Sequence, residues 1–324
     1  MLLGRYRTLI PVGRGGMSDV YIGTIAEPED PTRRPEIVVL KQMRAGAAAD
    51  AKAAGRFEEE VAIAQVLDHP NVVRGLGRGE ADGRPFLVLE YVDGQPIDQL
   101  IRAAKATKAD RCDEELRVCL PWILAEALAG LQYAHELAIE GRPMELVHRD
   151  FNPQNIVVDY SGSVKVLDFG IAKTTQHLVR TTTGIIKGKL RYMAPEQALE
   201  MRIDRRADIF SAGVMLWEFL SGAPFWGKRS DNETFDDLVG GVYATTIPEA
   251  SPGMNAILER ALARAASDRY PNAAAMRSDL LSEIQRTSPL ETLKSRTAMV
   301  VNTLFADRRE RTARMLEGAL AGVK

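Results

Sequence analysis

The chain has 324 residues with a formal net charge of -2; 45% are hydrophobic, 27% charged and 6% aromatic. That is the composition of a globular protein, not of a disordered or fibrous one, and the length suits one large two-lobed unit or two ordinary domains. The near-neutral charge lacks the basic surplus of a general polyanion binder, so nucleic acid is not an expected partner.

The amino terminus, MLLGRYRTLIPVG, turns polar before a signal-peptide apolar region forms. No apolar run approaches the roughly 18 residues that span a bilayer, so the chain is expected to carry no membrane segment and to be cytoplasmic. Three strand-like stretches follow, YRTLIPVG, DVYIGTIA and EIVVLKQM, separated by glycines and by the proline-rich AEPEDPTRRP. They predict an antiparallel meander. From Ala48 to Asp68 the period becomes helical: Phe57, Ile63, Ala64 and Leu67 share one face, with Glu60 in its middle. GLGRG and RPFLVLEYV predict a second hairpin, which runs out between Glu90 and Gly94 into a mostly helical remainder.

In that remainder Leu116 to Leu137 repeats apolar residues at three and four, while Ala207 to Leu220 is apolar on nearly all sides and should be deeply buried. Cys112 and Cys119 lie in one helical stretch without Cys-x-x-Cys or Cys/His metal spacing, which suits core or surface thiols of a reduced protein. Ser288-Pro289 marks a domain end. Beyond it a further helix carries the apolar stripe Leu293, Val300, Val301, Leu304 and Phe305 and a basic run, Arg308 to Arg314, that reads as a solvated face. Packing on the large lobe and dimerisation are both open for this helix.

Candidate chemistry begins at Gly13-Arg-Gly15-Gly16-Met-Ser18-Asp-Val20, between two strand patterns, where bare backbone can close over phosphates. Hairpin turns share that pattern, so alone it decides nothing. Lys41 ends the third strand, where an ammonium can meet nucleotide phosphates. A carboxylate centred on an apolar helix face is costly to bury without a cation, which makes Glu60 with Lys41 the economical pairing. Further on, VHRDFNPQNIVVDYSGSVKVLDFG places Asp150 where it can orient and deprotonate a hydroxyl, and Asn155 and Asp168 where they can offer oxygens to Mg2+.

His148-Arg-Asp150-x-x-x-x-Asn155 and Asp168-Phe-Gly170, in the same chain order as the glycine loop and lysine, match the protein-kinase signature. From Tyr6 to Ile284 the chain resembles a eukaryotic-like (Hanks-type) serine/threonine protein kinase, and FNPQN with KGKLRYMAPEQ looks like bacterial members. The resemblance implies an α+β, bilobal protein-kinase-like fold: an antiparallel five-stranded sheet plus one helix in the N-lobe (1–89), a hinge (90–94) and a mainly helical C-lobe (95–286). Residues 287–324 would be a helical extension outside the catalytic domain.

The resemblance further implies ATP and Mg2+ as cofactors, with the adenine enclosed by Val12, Val20, Val39, Leu89 and Val157 and hydrogen-bonded by the hinge, Glu90 to Val92. Val39 stands where alanine is usual, which tightens that pocket. Ala194-Pro195-Glu196 looks like the motif closing the activation segment, Arg269 like the buried partner of that glutamate, and Asp208 like the anchor of the catalytic loop. Small-molecule phosphotransferases generally lack this combination, so protein is the implied substrate.

Two departures stand out. Ser18 replaces the usual third glycine, which should stiffen the loop and keep its phosphate-facing amides. Asn152 occupies the place of the catalytic-loop lysine, while Lys189 occupies that of a later threonine, so the pair looks exchanged. The expectation is that Lys189 reaches back toward Asp150 and the γ-phosphate and restores the missing cation; the alternative is a solvated lysine. Arg149 can pair with a phosphate on the activation segment, and Thr181 and Thr183 in RTTTG are the expected autophosphorylation sites, for which a homodimer would serve. An active serine/threonine kinase is the first functional hypothesis, and a nucleotide-binding pseudokinase acting as a signalling scaffold is the alternative. A tyrosine-specific enzyme would more often carry arginine-rich text after the catalytic aspartate, although Asn152 weakens the serine/threonine diagnosis.

Overall fold

The computed structural model describes residues 1–26, 35–106, 110–169 and 190–321. They divide into two compact units: Met1–His69 and Val73–Asp93 with the chain from Phe305 onward, and Pro70–Val72 with Gly94–Leu304.

The first unit holds strands β1 (Leu2–Leu3), β2 (Tyr6–Arg14), β3 (Ser18–Ile25) and β4 (Ile37–Met43), helices α1 (Ala45–Ala48) and α2 (Ala51–Ala64), then β5 (Gly75–Ala81) and β6 (Arg84–Glu90). The strands form one antiparallel sheet of six, in the order β1-β2-β3-β4-β6-β5. The expected number was five. The sixth is the two-residue β1, too short to show any alternation; Gly4, at φ +56°, turns it back so that Leu3 is fully buried. The single expected helix likewise gains a one-turn companion, α1, and Asp50 caps α2 by accepting from the backbone of Lys52 and Ala53.

Register decides what each face of this sheet does. Val20 pairs with Lys41, Ile22 with Val39, Lys41 with Leu87 and Val39 with Leu89, so these side chains share one face. Tyr21, Leu40 and Val88 share the other, where Leu3, Tyr6, Val38, Leu40, Phe86 and Val88 form a core. On the Lys41 face, α2 packs through Ala53, Phe57 and Val61 against Met43 and Leu87.

The second unit comprises β7 (Gly94–Pro96), α3 (Ile97–Ala106), α4 (Asp110–His135), a hairpin of β8 (Ala138–Ile139) and β9 (Arg142–Pro143), β10 (Ile156–Asp159), β11 (Val164–Val166), α5 (Pro195–Ala198), α6 (Arg206–Ser221), α7 (Asp231–Gly240), α8 (Pro252–Ala261), α9 (Ala273–Gln285) and the start of α10 (Leu290–Ala321). Helix α6 is the all-round apolar segment of the sequence, and Ala207 through Leu216 are buried without a break. Strands β11, β10 and β7 form a small sheet, with β11 packed on α4.

The terminal helix packs on the fold. Leu293, Thr297, Val300 and Val301 are buried, and Arg296 forms an ion pair with Glu115 of α4 at 2.7 Å. At Phe305 the backbone leaves helical geometry (φ -128°, ψ 22°), and the residues beyond group with the first unit, where Arg309 lies 3.8 Å from Asp93. No helix among the described residues is long and apolar enough to cross a membrane.

Candidate active site

In the first unit, cross-strand pairing and one helix bring the predicted residues together. Lys41 Nζ donates to Glu60 Oε1 at 2.5 Å, with both side chains mostly buried, as expected of a carboxylate set into an apolar helix face. The β2–β3 turn is closed by Gly15 N donating to Ser18 O at 2.8 Å, and Ser18 is itself buried. A Cβ placed on Gly13 or Gly16 would meet no described atom within 4 Å. Their bareness therefore serves neither packing nor a left-handed φ, and it suits backbone that an anion must approach closely.

Val12 sits at a register shift between the Pro11 and Gly13 pairs and is 59% exposed, whereas Val20, Val39 and Leu89 lie with Lys41 on one sheet face. At the end of β6, Glu90 N donates to Arg74 O at 3.0 Å and its carboxylate accepts from Arg74 N at 2.8 Å, which fixes the segment leading to Val92.

In the second unit the catalytic-loop candidates rest on a buried carboxylate. Asp208, on α6, is fully buried and accepts three hydrogen bonds: from His148 N at 2.7 Å, Arg149 N at 2.8 Å and His135 Nε2 at 2.8 Å. Burial alone would raise its carboxyl, but the His135 hydrogen bond and the adjacent imidazoles hold it below the ordinary carboxylate value. His148 is buried as well; desolvation pushes its imidazole below the ordinary histidine value, against the pull of Asp208 and Asp150. Its Nε2 meets Leu167 O at 3.0 Å, and its ring packs against Phe169 and Phe151 with centroids 4.8 and 5.6 Å away. Carrying the neutral ring's proton on Nε2 makes that contact a donated hydrogen bond.

Between these anchors the backbone takes strained turns, with φ +62° at Arg149 and +44° at Asp168. Asp150 follows directly. Its Oδ2 and its carbonyl accept from Asn155 Nδ2 at 3.0 and 2.8 Å. With its NH2 spent there, Asn155 has its carbonyl oxygen left to offer a cation. Asn155 immediately precedes β10 and Asp168 stands two residues after β11, so one short hairpin carries both candidate metal ligands. Among the described residues no cluster of three or more His, Cys, Asp or Glu could hold a metal. One amide oxygen and one carboxylate still fit Mg2+, which keeps several waters and takes its other ligands from substrate phosphates. Val157, on β10, is buried and pairs with Pro96 and Lys165.

Asn152 has a local task. Its Nδ2 donates to Asp150 O at 2.9 Å and its Oδ1 accepts from Gln154 N at 2.9 Å, so the amide shapes the loop. Lys189, Thr181 and Thr183 lie outside the described residues. The closing motif does lie within them. Glu196 receives a bidentate pair from Arg269 at 2.7 and 2.9 Å, and Arg269 also donates to the carbonyls of Ala263, Arg264 and Arg206. All five of its N–H donors are thereby used, with Phe210 beneath the guanidinium.

Two supporting residues went unread in the sequence. His135 ends α4 in no recognisable motif, yet it completes the Asp208 cluster. Gln197 donates to Arg149 O at 3.2 Å while accepting from Ala194 N, which ties the closing motif to the catalytic loop.

The chain matches the family described as "Protein kinase domain" over residues 6–281. It is 36% identical over 276 residues to the tyrosine-protein kinase MasK of Myxococcus xanthus, across 84% of this chain and 42% of that protein. It is 31% identical over 280 residues to the probable serine/threonine-protein kinase PknB of Lactococcus lactis, across 85% of this chain and 41% of that protein. The chain thus spans about two-fifths of the length of these relatives. The solved kinase domain of Mycobacterium tuberculosis PknI superposes with a TM-score of 0.59 at 25% identity, covering 87% of this chain and 98% of that one.

Proposed function

This chain belongs to the protein kinase domain family, whose members use ATP with Mg2+, and from that premise we propose that it transfers the γ-phosphate of ATP to serine or threonine hydroxyls of a protein substrate. The observation that carries the reading is the Asp150–Asn155 pair, fixed to each other and seated on Asp208 through the backbone of the two preceding residues. A carboxylate held this way can orient a hydroxyl and take its proton as the oxygen attacks the γ-phosphorus; the bond to the β,γ-bridging oxygen breaks and ADP leaves. Lys41, oriented by Glu60, meets the nucleotide phosphates, and the backbone of the glycine loop from Gly13 to Ser18 covers them. Val12, Val20, Val39, Leu89 and Val157 surround the adenine, with the hinge from Glu90 to Val92 as its hydrogen-bonding edge. Asn155 and Asp168 hold Mg2+, which when bound neutralises charge on the phosphates.

Lys189 supplies the second cation in this reading, and Thr181 and Thr183 are autophosphorylated within a homodimer in the cytoplasm. Lys41, Glu60, Asp150, Asn155 and Asp168 are all present, which disfavours a scaffold without activity. Tyrosine as acceptor is the second reading, favoured by the name of MasK, the more similar of the two relatives, and by Asn152. The test is incubation with labelled ATP and Mg2+ in the presence of serine, threonine and tyrosine peptides, comparing the parent with Asp150→Asn and mapping phosphorylated residues by mass spectrometry. Transfer to serine or threonine that falls at least about a hundredfold in Asp150→Asn is expected. Transfer confined to tyrosine selects the second reading. No transfer at all would return the chain to the scaffold alternative.

A further inference from the structure

The hairpin that carries both candidate metal ligands is gripped at its far end by the terminal helix. Its turn is tight: Asp159 N donates to Ser163 O and Gly162 N to Asp159 O, both at 2.9 Å, while Asp159 Oδ1 accepts from the backbone of Ser161 and Ser163. Gly162 adopts φ +83° and lies so close to α10 that a Cβ there would stand 2.2 Å from Lys294 O and 3.1 Å from Ala298 N. One turn further along the helix, Asn302 Nδ2 donates to Tyr160 O at 2.8 Å and to Ala298 O at 2.8 Å. Lys294, Ala298 and Asn302 follow each other at four-residue spacing, so they form one strip of the helix on which the turn lies. The Tyr160 hydroxyl accepts from Gln95 Nε2 at 3.1 Å, which fixes the same residue from β7.

Between turn and ligands the hairpin is short and stiff. Ile156 pairs with Val166, Val157 with Lys165 and Val158 with Val164, and Leu167 N donates to Asn155 O at 2.8 Å, extending the ladder to the ligand residues themselves. Ile156, Val158, Val164 and Val166 are buried. At about 3.3 Å per residue the turn, five residues away along either strand, stands only some 17 Å from Asn155 and Asp168. A close-packed, fully paired ladder of that length passes a displacement of its tip on to its base.

We propose that α10 is a positioning element for the metal site, with Asn302 and the backbone at Lys294 holding the Tyr160–Ser163 turn and thereby the arrangement of Asn155 and Asp168 that receives Mg2+. The proposal rests on the reading of those two residues as metal ligands. It gives the terminal helix a task that its apolar stripe, which serves only to dock it, does not disclose.

Calorimetric titration of ADP at increasing Mg2+ tests this. In Asn302→Ala the Mg2+ concentration for half-maximal enhancement of ADP binding should rise about fivefold, the equivalent of one ordinary hydrogen bond, with ADP affinity in chelator unchanged. Arg296→Ala removes the ion pair that docks α10 on α4 without touching the hairpin, and it should lower thermal stability yet leave the Mg2+ dependence alone. An unshifted Asn302→Ala, or an equal shift in Arg296→Ala, overturns the proposal. Asp168→Asn separates the two readings: an unaltered Mg2+ dependence there refutes the metal-site reading itself. A readout on the unmodified chain needs no variant to fold. By linkage, Mg2+ with ADP must slow amide hydrogen exchange between Ala298 and Thr303 relative to ADP with chelator, and unchanged exchange overturns the coupling.

Discussion

Asp208→Asn is a sharp perturbation of the candidate site because it preserves side-chain volume and removes only charge and one acceptor. The carboxylate takes His148 N and His135 Nε2 on Oδ2 and Arg149 N on Oδ1. An amide in its place keeps one oxygen and sets an NH2 group against at least one of those donors. Losing a hydrogen bond to a charged acceptor costs about 1.5–3 kcal/mol, and an orphaned buried donor adds a comparable penalty, so unfolding free energy should fall by roughly 3–5 kcal/mol. The effect on turnover should exceed the effect on binding. Arg149 N holds its residue at φ +62°, a conformation costing on the order of 1–3 kcal/mol, and once released it relaxes and displaces Asp150 next to it. A displacement of about 1 Å at a reacting group is worth some hundredfold, so kcat should drop by that order while the KM for ATP stays within about threefold. Steady-state kinetics and urea titration on the same preparation give both numbers. A variant that loses the stability and keeps the parental kcat would falsify the claim that Asp208 positions the catalytic loop.

Glu60→Gln should raise the KM for ATP about tenfold with little change in melting temperature, because Lys41 keeps its charge and loses only the partner that orients it; a larger fall in kcat than in kcat/KM would contradict this. Glu196→Ala leaves Arg269 charged, buried and short of two acceptors, at an expected cost of about 3–5 kcal/mol in urea titration. Adding Arg269→Met should cost less than the sum of the two single changes, and strict additivity would refute a direct coupling. Lys189→Thr should lower transfer about tenfold, with recovery on adding Asn152→Lys; a fully active Lys189→Thr sinks the exchange. Acid should destabilise the fold in two windows. The imidazole of His148 is depressed in the folded state, so the unfolded chain binds more protons below its ordinary value of about 6.5 and stability falls with pH there. Asp208 is depressed too; its contribution is present above the ordinary carboxylate range of about 3.9 and is lost as pH falls through the folded value. A stability profile flat from pH 7 to pH 5 would contradict the first window.

Much of the site was legible because its chemistry is written in contiguous residue types. Glu60 was readable as a buried partner from helical periodicity alone, since a carboxylate amid Phe57 and Ile63 needs a cation, and Lys41 lies in the strand β4. The all-apolar pattern from Ala207 onward likewise announced a buried helix, and α6 is buried accordingly. What escaped depends on approach in three dimensions. Strand β1 spans two residues, and so does each strand of the β8–β9 hairpin, fewer than any alternation can show. His135 lies 73 positions from the carboxylate it meets, in a helix whose pattern marks it only as a last-turn histidine. The terminal helix was readable as a helix with an apolar stripe, but Asn302 contacts Tyr160 from 142 residues away and no periodicity points there.

The way Asp208 holds the loop explains how the sequence can depart at Asn152 without losing the site. The hold acts on the backbone N–H groups of His148 and Arg149, which every residue except proline possesses, so loop conformation is imposed from beneath whatever side chains follow. Asn152 then adds a second, local constraint through Asp150 O and Gln154 N. A lysine there would bring a cation but forgo both hydrogen bonds, leaving Asn155 Nδ2 as the side-chain donor on the Asp150 carbonyl. The asparagine therefore trades charge for shape. The geometry of Asp150 is secured by neutral groups within the loop, the side-chain amides of Asn152 and Asn155, so the loop keeps its shape with no cation at residue 152.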